Sequence, residues 1–264
     1  MTRVLLCPPD YYGVEYEINP WMHREQPADL PRARAQWREF RRILAEEAGA
    51  EVEEMPPRPG LPDLVFTANA GLAIGNVFVA SRFRFAQRQR EEPHFQEWFA
   101  ERGYEIVRLP PDLYFEGEGD AFPVGEDLFA GYHFRSDIRS HRAVAEVFGL
   151  HALSLHLADA RFYHLDTCFA PLDERTVAYH PPAFDDYGCR VIRARFQDCI
   201  EVNEADALRF GCNASVIGRH VVLNAGCDSL NRALEERGFV AHPVDVSEFM
   251  KAGGATKCMT LLLR

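Results

Sequence analysis

Asn69-Ala-Gly-Leu-Ala-Ile74-Gly-Asn-Val-Phe-Val79 reads as two short strands joined at Gly75-Asn76, with a turn-prone Asn-Ala-Gly in front. The arrangement recurs. Gly117 to Val124, a turn at Gly125-Glu126-Asp127, and Leu128-Phe129-Ala130 form a second hairpin; His164 to Ala170, Asp173-Glu174-Arg175, and Thr176 to Tyr179 form a third; Asn213 to Ile217, Gly218-Arg219, and Val221 to Asn224 form a fourth. The last run, Gly253-Gly-Ala-Thr-Lys-Cys258-Met-Thr-Leu-Leu-Leu-Arg264, opens a fifth unit that needs the N-terminal strand Val4-Leu5-Leu6-Cys7 to close it. The repeat is about 45 to 50 residues, in the range for radial arrays. A strand pair followed by a helix and a strand cannot bury its own apolar face and must stack on neighbours. The expected fold is therefore a closed ring of five α/β units in one domain over residues 1–264. The alternative is an ordinary α/β sandwich with coincidental spacing.

The intervening segments fit the repeat. Asp29 can cap a helix with Pro31 in its first turn and a stripe of Trp37, Phe40, Ile43 and Leu44, ended by Gly49 and followed by a strand at Val52 to Met55. A helix carrying Phe95, Trp98 and Phe99 leads to a strand at Tyr104 to Leu109. Further helices are expected around Val144 to Phe148 and Ser229 to Glu236, the latter before a strand at Phe239-Val240-Ala241. Tyr11 to Met22 is an aromatic-rich loop with Asn19-Pro20 in it.

Composition is that of an ordinary globular protein, 47% hydrophobic and 26% charged. No apolar run approaches the roughly 18 residues of a membrane span, and the apolar start before Pro8-Pro9 is too short for a signal peptide, so a cytoplasmic location is expected. Seven Cys with no C-x-x-C pair argue against a disulfide framework and a structural zinc site. A net charge of -11 disfavours nucleic acid as a partner and mildly favours a cationic small molecule.

In a ring, the first strand of each unit starts near the axis, so residues at those starts should converge. They are Asn69, the cluster Glu116-Gly-Glu118-Gly-Asp120, His164 with Asp166, Asn213 and Cys258. Read as a strand, His164-Leu165-Asp166 presents both polar side chains on one face. Cys258 follows three small residues that allow close backbone approach; a reactive thiolate there needs a positive neighbour, either Lys257 or a cationic substrate. Each has a plainer reading: a buried structural thiol, a core histidine, a turn aspartate, a solvated Gly-rich loop.

Phe66-Thr-Ala-Asn69, Phe115-Glu-Gly-Glu-Gly-Asp120, His164-Leu-Asp166-Thr and Gly253-Gly-Ala-Thr-Lys-Cys258 resemble, in order and spacing, the guanidine-modifying branch of the pentein superfamily. That branch contains arginine deiminases, dimethylarginine dimethylaminohydrolases and amidinotransferases. Cys7-Pro-Pro-Asp10, Ile18-Asn-Pro-Trp-Met22, Pro62-Asp-Leu-Val-Phe-Thr-Ala-Asn-Ala-Gly71 and Phe162-Tyr-His-Leu-Asp-Thr-Cys168 look like the arginine dihydrolase domain of cyanobacterial bifunctional arginine-degrading enzymes. The resemblance implies a five-bladed α/β propeller, no metal and no cofactor, and a small guanidino compound as the partner, with a homo-oligomer the commoner state. It implies Cys258 as nucleophile, His164 as proton carrier, Glu116 and Asp166 as partners of the guanidinium, and Asn69 where deiminases often have an Asp. It further implies that Asn213 contributes to substrate binding and that Arg88 and Arg135 hold the α-carboxylate. Arg88 also fits a surface position in the charged run Arg82 to Glu92, and the side chain of Glu118 is expected to point to solvent. Asn19 would polarise the ureido group of citrulline for a second hydrolysis, or simply make the Asx turn common before proline. The implied reaction is arginine hydrolysis to ornithine, ammonia and CO2. Alternatives are a deiminase stopping at citrulline, a dimethylarginine dimethylaminohydrolase and an amidinotransferase.

Overall fold

Val4, Leu5 and Leu6 are fully buried in strand β1 (Arg3–Leu6), which runs parallel to β2 (Glu51–Glu54) in the computed structural model, whose described residues are 2–264. The hairpin at Gly75-Asn76 forms from β3 (Gly71–Ile74) and β4 (Val77–Ala80), and β5 (Glu105–Arg108) lies parallel to β4. The same order, antiparallel then parallel, recurs three times. It is seen in β6 (Ala121–Val124), β7 (Asp127–Tyr132) and β8 (His151–His156), and in β9 (Phe169–Pro171), β10 (Thr176–Tyr179) and β11 (Asp198–Glu201). It is seen again in β12 (Ser215–Ile217), β13 (His220–Asn224) and β14 (Val240–Val244). Strand β15 (Leu261–Leu263) pairs antiparallel with β1, Leu261 opposite Leu5, so the two ends of the chain make one more set of the same order. Strand β15 also meets β3 through Leu263 and Ala73, which merges two sets into a six-stranded sheet ordered β2-β1-β15-β3-β4-β5; the other three sheets stay three-stranded.

Parallel second and third strands need a crossover, and helices supply it. The helix Glu92–Glu101 buries Phe95, Trp98 and Phe99, and Phe99 stacks on Phe78 of β4 at 3.7 Å between ring centroids. The helix Leu30–Arg42 starts as its sequence directs, with the Asp29 carboxylate accepting from the Arg32 backbone N–H at 3.1 Å; its end differs, because Ile43–Glu47 forms a π-helical turn before Gly49. The helix Asp186–Arg195 and the strand after it are absent from the sequence reading. Only Gly188 and Ile192 of that helix are buried, too few to make a visible stripe.

The starts of the repeats also differ from expectation. Thr67–Ala70, Gly117–Gly119 and Leu165–Thr167 are 3-10 turns ahead of β3, β6 and β9, so the side chains of His164 and Asp166 are not related by strand alternation. Two of these turns touch backbone to backbone: a Cβ on Gly117, whose φ is 61°, would lie 2.6 Å from the Gly71 nitrogen and 2.7 Å from the Ala68 oxygen. Among the described residues no helix is long and apolar enough to cross a membrane.

Candidate active site

The Cys258 segment is held by its own Thr256 and by Thr67 and Asn213, side chains from two other repeats. The Thr67 hydroxyl shares its one proton between the Leu5 and Met259 carbonyls at 2.8 and 2.9 Å, and the Thr256 hydroxyl between the Asn213 and Val222 carbonyls at 2.7 and 2.8 Å. Asn213 is the hub: its Oδ1 accepts from the Ala255 and Cys258 N–H groups, both at 3.1 Å, and its Nδ2 donates to Cys258 Sγ at 3.0 Å and to the Asp166 carbonyl at 3.1 Å. Those four bonds spend the full capacity of an amide. Asn213 thus fixes the nucleophile turn and has no donor or acceptor left over for a ligand. Cys258 sits in this turn, three residues before β15 begins, and is 2% exposed.

The thiol donates to Asp166 Oδ2 at 3.1 Å. Burial, together with this neighbouring carboxylate, pushes the thiol well above its ordinary pKa, so without a cation beside it Cys258 stays protonated. Burial also lifts Asp166 to about 6, although Lys257 pulls the other way, and its Oδ1 is buried with no hydrogen-bond partner.

Cys258 shares a cavity with Asn19, Asn69, Arg88, Arg135 and Asp63, closed by Ile18, Met22 and Phe66, with open space of about 10 Å³. Arg88 is buried rather than on the surface. Its guanidinium forks onto Glu91 at 3.0 and 2.8 Å, reaches Asn69 Oδ1 at 2.7 Å and the Asp63 carbonyl at 3.1 Å, and keeps one N–H unspent. Glu91 titrates at about 7, raised by burial against the pull of Arg88. Arg135 donates to Glu116 Oε2 at 2.9 Å and to the Ile18 carbonyl at 2.9 Å, with its guanidinium over the rings of Phe85 and Tyr163.

Glu116 joins this cavity to the histidine. Its Oε2 also pairs with His164 Nε2 at 2.7 Å, which leaves His164 Nδ1 buried without a partner. Burial works against the Glu116 carboxylate, but Arg135 and His164 outweigh it and hold the group far below the usual carboxylate range, so it is ionised at any working pH. Glu116, His164 and Asp166 do not line the cavity; Arg135 links the first two to it and the Cys258 thiol links Asp166.

Asn19 adopts the Asx turn, its Oδ1 accepting from the Trp21 N–H at 2.9 Å, while its Nδ2 donates to the Ala252 carbonyl at 3.0 Å. It lies in the cavity wall all the same, and one amide hydrogen and one acceptor lone pair remain. Glu118 corrects an expectation. It is fully buried, taking Lys257 Nζ at 2.9 Å, the Leu262 N–H at 3.1 Å and the Arg264 guanidinium. Asp63 is the residue that the sequence reading passed over. It lies in the quoted Pro62 to Gly71 run, is 2% exposed, accepts from the Tyr16 hydroxyl at 2.9 Å and leaves Oδ1 unpartnered. Among the described residues no group of three or more His, Cys, Asp or Glu is arranged to hold a metal ion.

The family model described as N,N dimethylarginine dimethylhydrolase, eukaryotic, matches residues 17–264. The chain is 47% identical over 264 residues to the bifunctional arginine dihydrolase/ornithine cyclodeaminase AgrE of Nostoc sp., a match that takes in 98% of this chain and 37% of that protein. It is 42% identical to the N(G),N(G)-dimethylarginine dimethylaminohydrolase of Mycobacterium tuberculosis, covering 98% of this chain and 85% of that one. Among solved structures it superposes on the N-terminal domain of ArgZ, a cyanobacterial arginine dihydrolase crystallised as a Cys-to-Ser variant bound to substrate, with a TM-score of 0.96, 44% identity, and coverage of 100% of this chain and 98% of that one. The chain spans 37% of the bifunctional relatives it matches. Family model and relatives agree: the chain belongs to the dimethylarginine dimethylhydrolase family, within the guanidine-modifying penteins.

Proposed function

We propose that this chain hydrolyses the guanidino C–N bonds of L-arginine through a covalent intermediate on Cys258 and carries the reaction to ornithine. One observation carries the reading: two buried carboxylate oxygens have no partner, Asp63 Oδ1 in the cavity wall with Cys258, Arg88 and Arg135, and Asp166 Oδ1 on the carboxylate that takes the Cys258 thiol. An unsatisfied buried acceptor costs about 1–3 kcal/mol, more when charged, and a cationic ligand removes that cost. A guanidinium on Asp166 and an ammonium on Asp63, with a carboxylate toward Arg135 and the spare N–H of Arg88, describe one molecule of arginine. ArgZ, a relative solved with substrate bound as a Cys-to-Ser variant, supports arginine as the substrate class.

In this reading the guanidinium takes over Asp166 and lowers the thiol pKa, the thiolate attacks the guanidino carbon, and ammonia leaves with a proton from His164 oriented by Glu116. Water then attacks the thiouronium carbon, His164 takes its proton, and citrulline and free Cys258 result. In a second round the thiolate attacks the ureido carbon, a second ammonia leaves, and water releases a carbamate that breaks down to ornithine and CO2. Asn19 and Asn69, both in the cavity wall, supply amide groups suited to a neutral ureido substrate. An open space of about 10 Å³ is about one water, so the cavity must widen to admit arginine.

The five recurring strand sets, closed by β15 on β1, support a five-bladed propeller formed by residues 1–264 as one domain. We also read the protein as a cytoplasmic homo-oligomer without a nucleic-acid or membrane partner, in keeping with its net charge of -11 and its odd count of Cys. The family model and the mycobacterial relative favour one second reading, release of dimethylamine from dimethylarginine. Purified protein given L-arginine or asymmetric dimethylarginine separates them when ammonia, citrulline, ornithine and dimethylamine are all quantified. The proposal predicts ornithine from arginine in the wild type and accumulating citrulline in Asn19→Ala. Citrulline as the final wild-type product would limit the chain to deimination, and turnover of dimethylarginine alone would replace the substrate.

A further inference from the structure

Asp120 is a buried carboxylate that the reaction above leaves without a part. It closes the Gly117–Gly119 turn, is 1% exposed and does not line the substrate cavity. Its Oδ1 accepts from the Leu165 N–H at 3.0 Å, and its Oδ2 from the Ser136 N–H at 3.2 Å and the Ser136 hydroxyl at 2.6 Å. Ser136 Oγ accepts in turn from the Glu116 N–H at 3.0 Å. Leu165 follows His164 in the chain and Ser136 follows Arg135. One side chain therefore ties together the backbones that carry all three members of the Arg135–Glu116–His164 chain of contacts. The packing around it leaves no slack. A Cβ on Gly131 would lie 2.8 Å from Leu165 Cβ and 3.1 Å from Asp120 Oδ1, and one on Gly119 would lie 3.4 Å from the His164 ring.

None of these three donors is charged. Burying a carboxylate against neutral donors is unfavourable, and an asparagine of the same shape would accept on one side only, its NH₂ facing the other. What the carboxylate adds is the capacity to accept from two chain segments at once. We propose that Asp120 is a positioning residue for the proton carrier: gripping the Leu165 N–H with one oxygen and Ser136 with the other, it sets the approach of His164 and Arg135 to Glu116 and so aims the unpartnered His164 Nδ1. A proton carrier works only within hydrogen-bond reach of its proton, and a misplacement of about 1 Å costs roughly a hundredfold in rate.

The inference rests on His164 as proton carrier in the proposed reaction, and part of its test needs no substrate. Long-range ¹H–¹⁵N correlation through the carbon-bound ring protons reads both His164 nitrogens, assigned by their loss in His164→Ala. The spectra are recorded at pH 8, above the value of about 6 to which burial lifts Asp120. Asp120→Asn keeps the volume, but whichever way its amide turns, one of the two segments loses its acceptor. It is expected to shift both ring nitrogens of His164 and to lower kcat on arginine about a hundredfold. In a His164→Ala background the same change is expected to cost no more than about twofold, because the group it positions is gone. Ser136→Ala keeps the charge of Asp120 and removes only the hydroxyl between it and the Glu116 N–H, and is expected to shift the same nitrogens in the same direction. A folded Asp120→Asn with wild-type nitrogen shifts overturns the proposal, as does a fully additive loss of kcat in the His164→Ala background. A response to Asp120→Asn that Ser136→Ala does not share is an effect of charge alone and also overturns it. Should Asp120→Asn not fold, Ser136→Ala decides: shifted nitrogens support the proposal, and unshifted ones overturn it. Absence of arginine turnover in the wild type, with the predicted shifts intact, would count against the proposed reaction and leave the positioning of His164 standing.

Discussion

At the scale of single residues, the site is a set of carboxylates kept apart by their surroundings. Glu116 is paired with Arg135 and His164 and stays ionised, whereas Asp166, beside the thiol, is raised to about 6 by burial. A folded-state value above the ordinary one means the charged form is lost early as pH falls. Below about 6, Asp166 is neutral and no longer pairs with a guanidinium; above it, the pair is available. In Cys258→Ser, which removes turnover, arginine affinity measured by calorimetry is therefore expected to fall by up to about tenfold per pH unit below 6. Asp166→Asn in that background should bind weakly with a flat profile through the same range. A slope that survives the substitution would assign it to Glu91 or Asp120, raised to about 7 and about 6 by burial. Asp63 was missed in the sequence because nothing marks one aspartate in a Pro-Asp-Leu-Val run as buried; its unpartnered oxygen exists only once Tyr16 and Arg88 are folded around it.

At the scale of elements, hairpins were legible and the turns before them were not. Gly75-Asn76 and Gly218-Arg219 announce their reversals, because few residues other than glycine accept the positive φ found at Gly75 and Gly218. The 3-10 turns at Thr67–Ala70, Gly117–Gly119 and Leu165–Thr167 carry no such signal, since contact with one another fixes them more than local preference does. The turn before β15 has one more constraint. Gly253 has φ 81°, and a Cβ there would lie 2.8 to 3.0 Å from the Asn19 amide. Gly253→Ala is expected to cost about 1–2 kcal/mol of stability from backbone strain and, by pushing Asn19 aside, to raise the ratio of citrulline to ornithine. Thermal denaturation and product analysis of one preparation check both. An unchanged product ratio in a destabilised variant would detach Asn19 from the second hydrolysis.

At the scale of the whole molecule, the repeat is what brings distant residues together: Asn69, Asn213 and Cys258 each stand just ahead of the first strand of their set. The hairpin of each set could be read from alternating runs and turns, and so could the need for the N-terminal strand to complete the last one, but the third strands His151–His156 and Asp198–Glu201 could not. What could not be read is which polar groups spend themselves on the protein and which stay free. Asn213 and Glu118 are consumed internally, while Asp63 and Asp166 each keep an oxygen free, and only long-range packing makes that difference. The central claim is that this assembly directs Cys258 onto the guanidino carbon of arginine. Acid-quenching the protein during turnover of L-arginine and measuring its intact mass tests it most directly. The account predicts an adduct on Cys258 with the mass of arginine less ammonia, absent from Cys258→Ser; arginine consumed with no such adduct, or at an undiminished rate by Cys258→Ser, would contradict it.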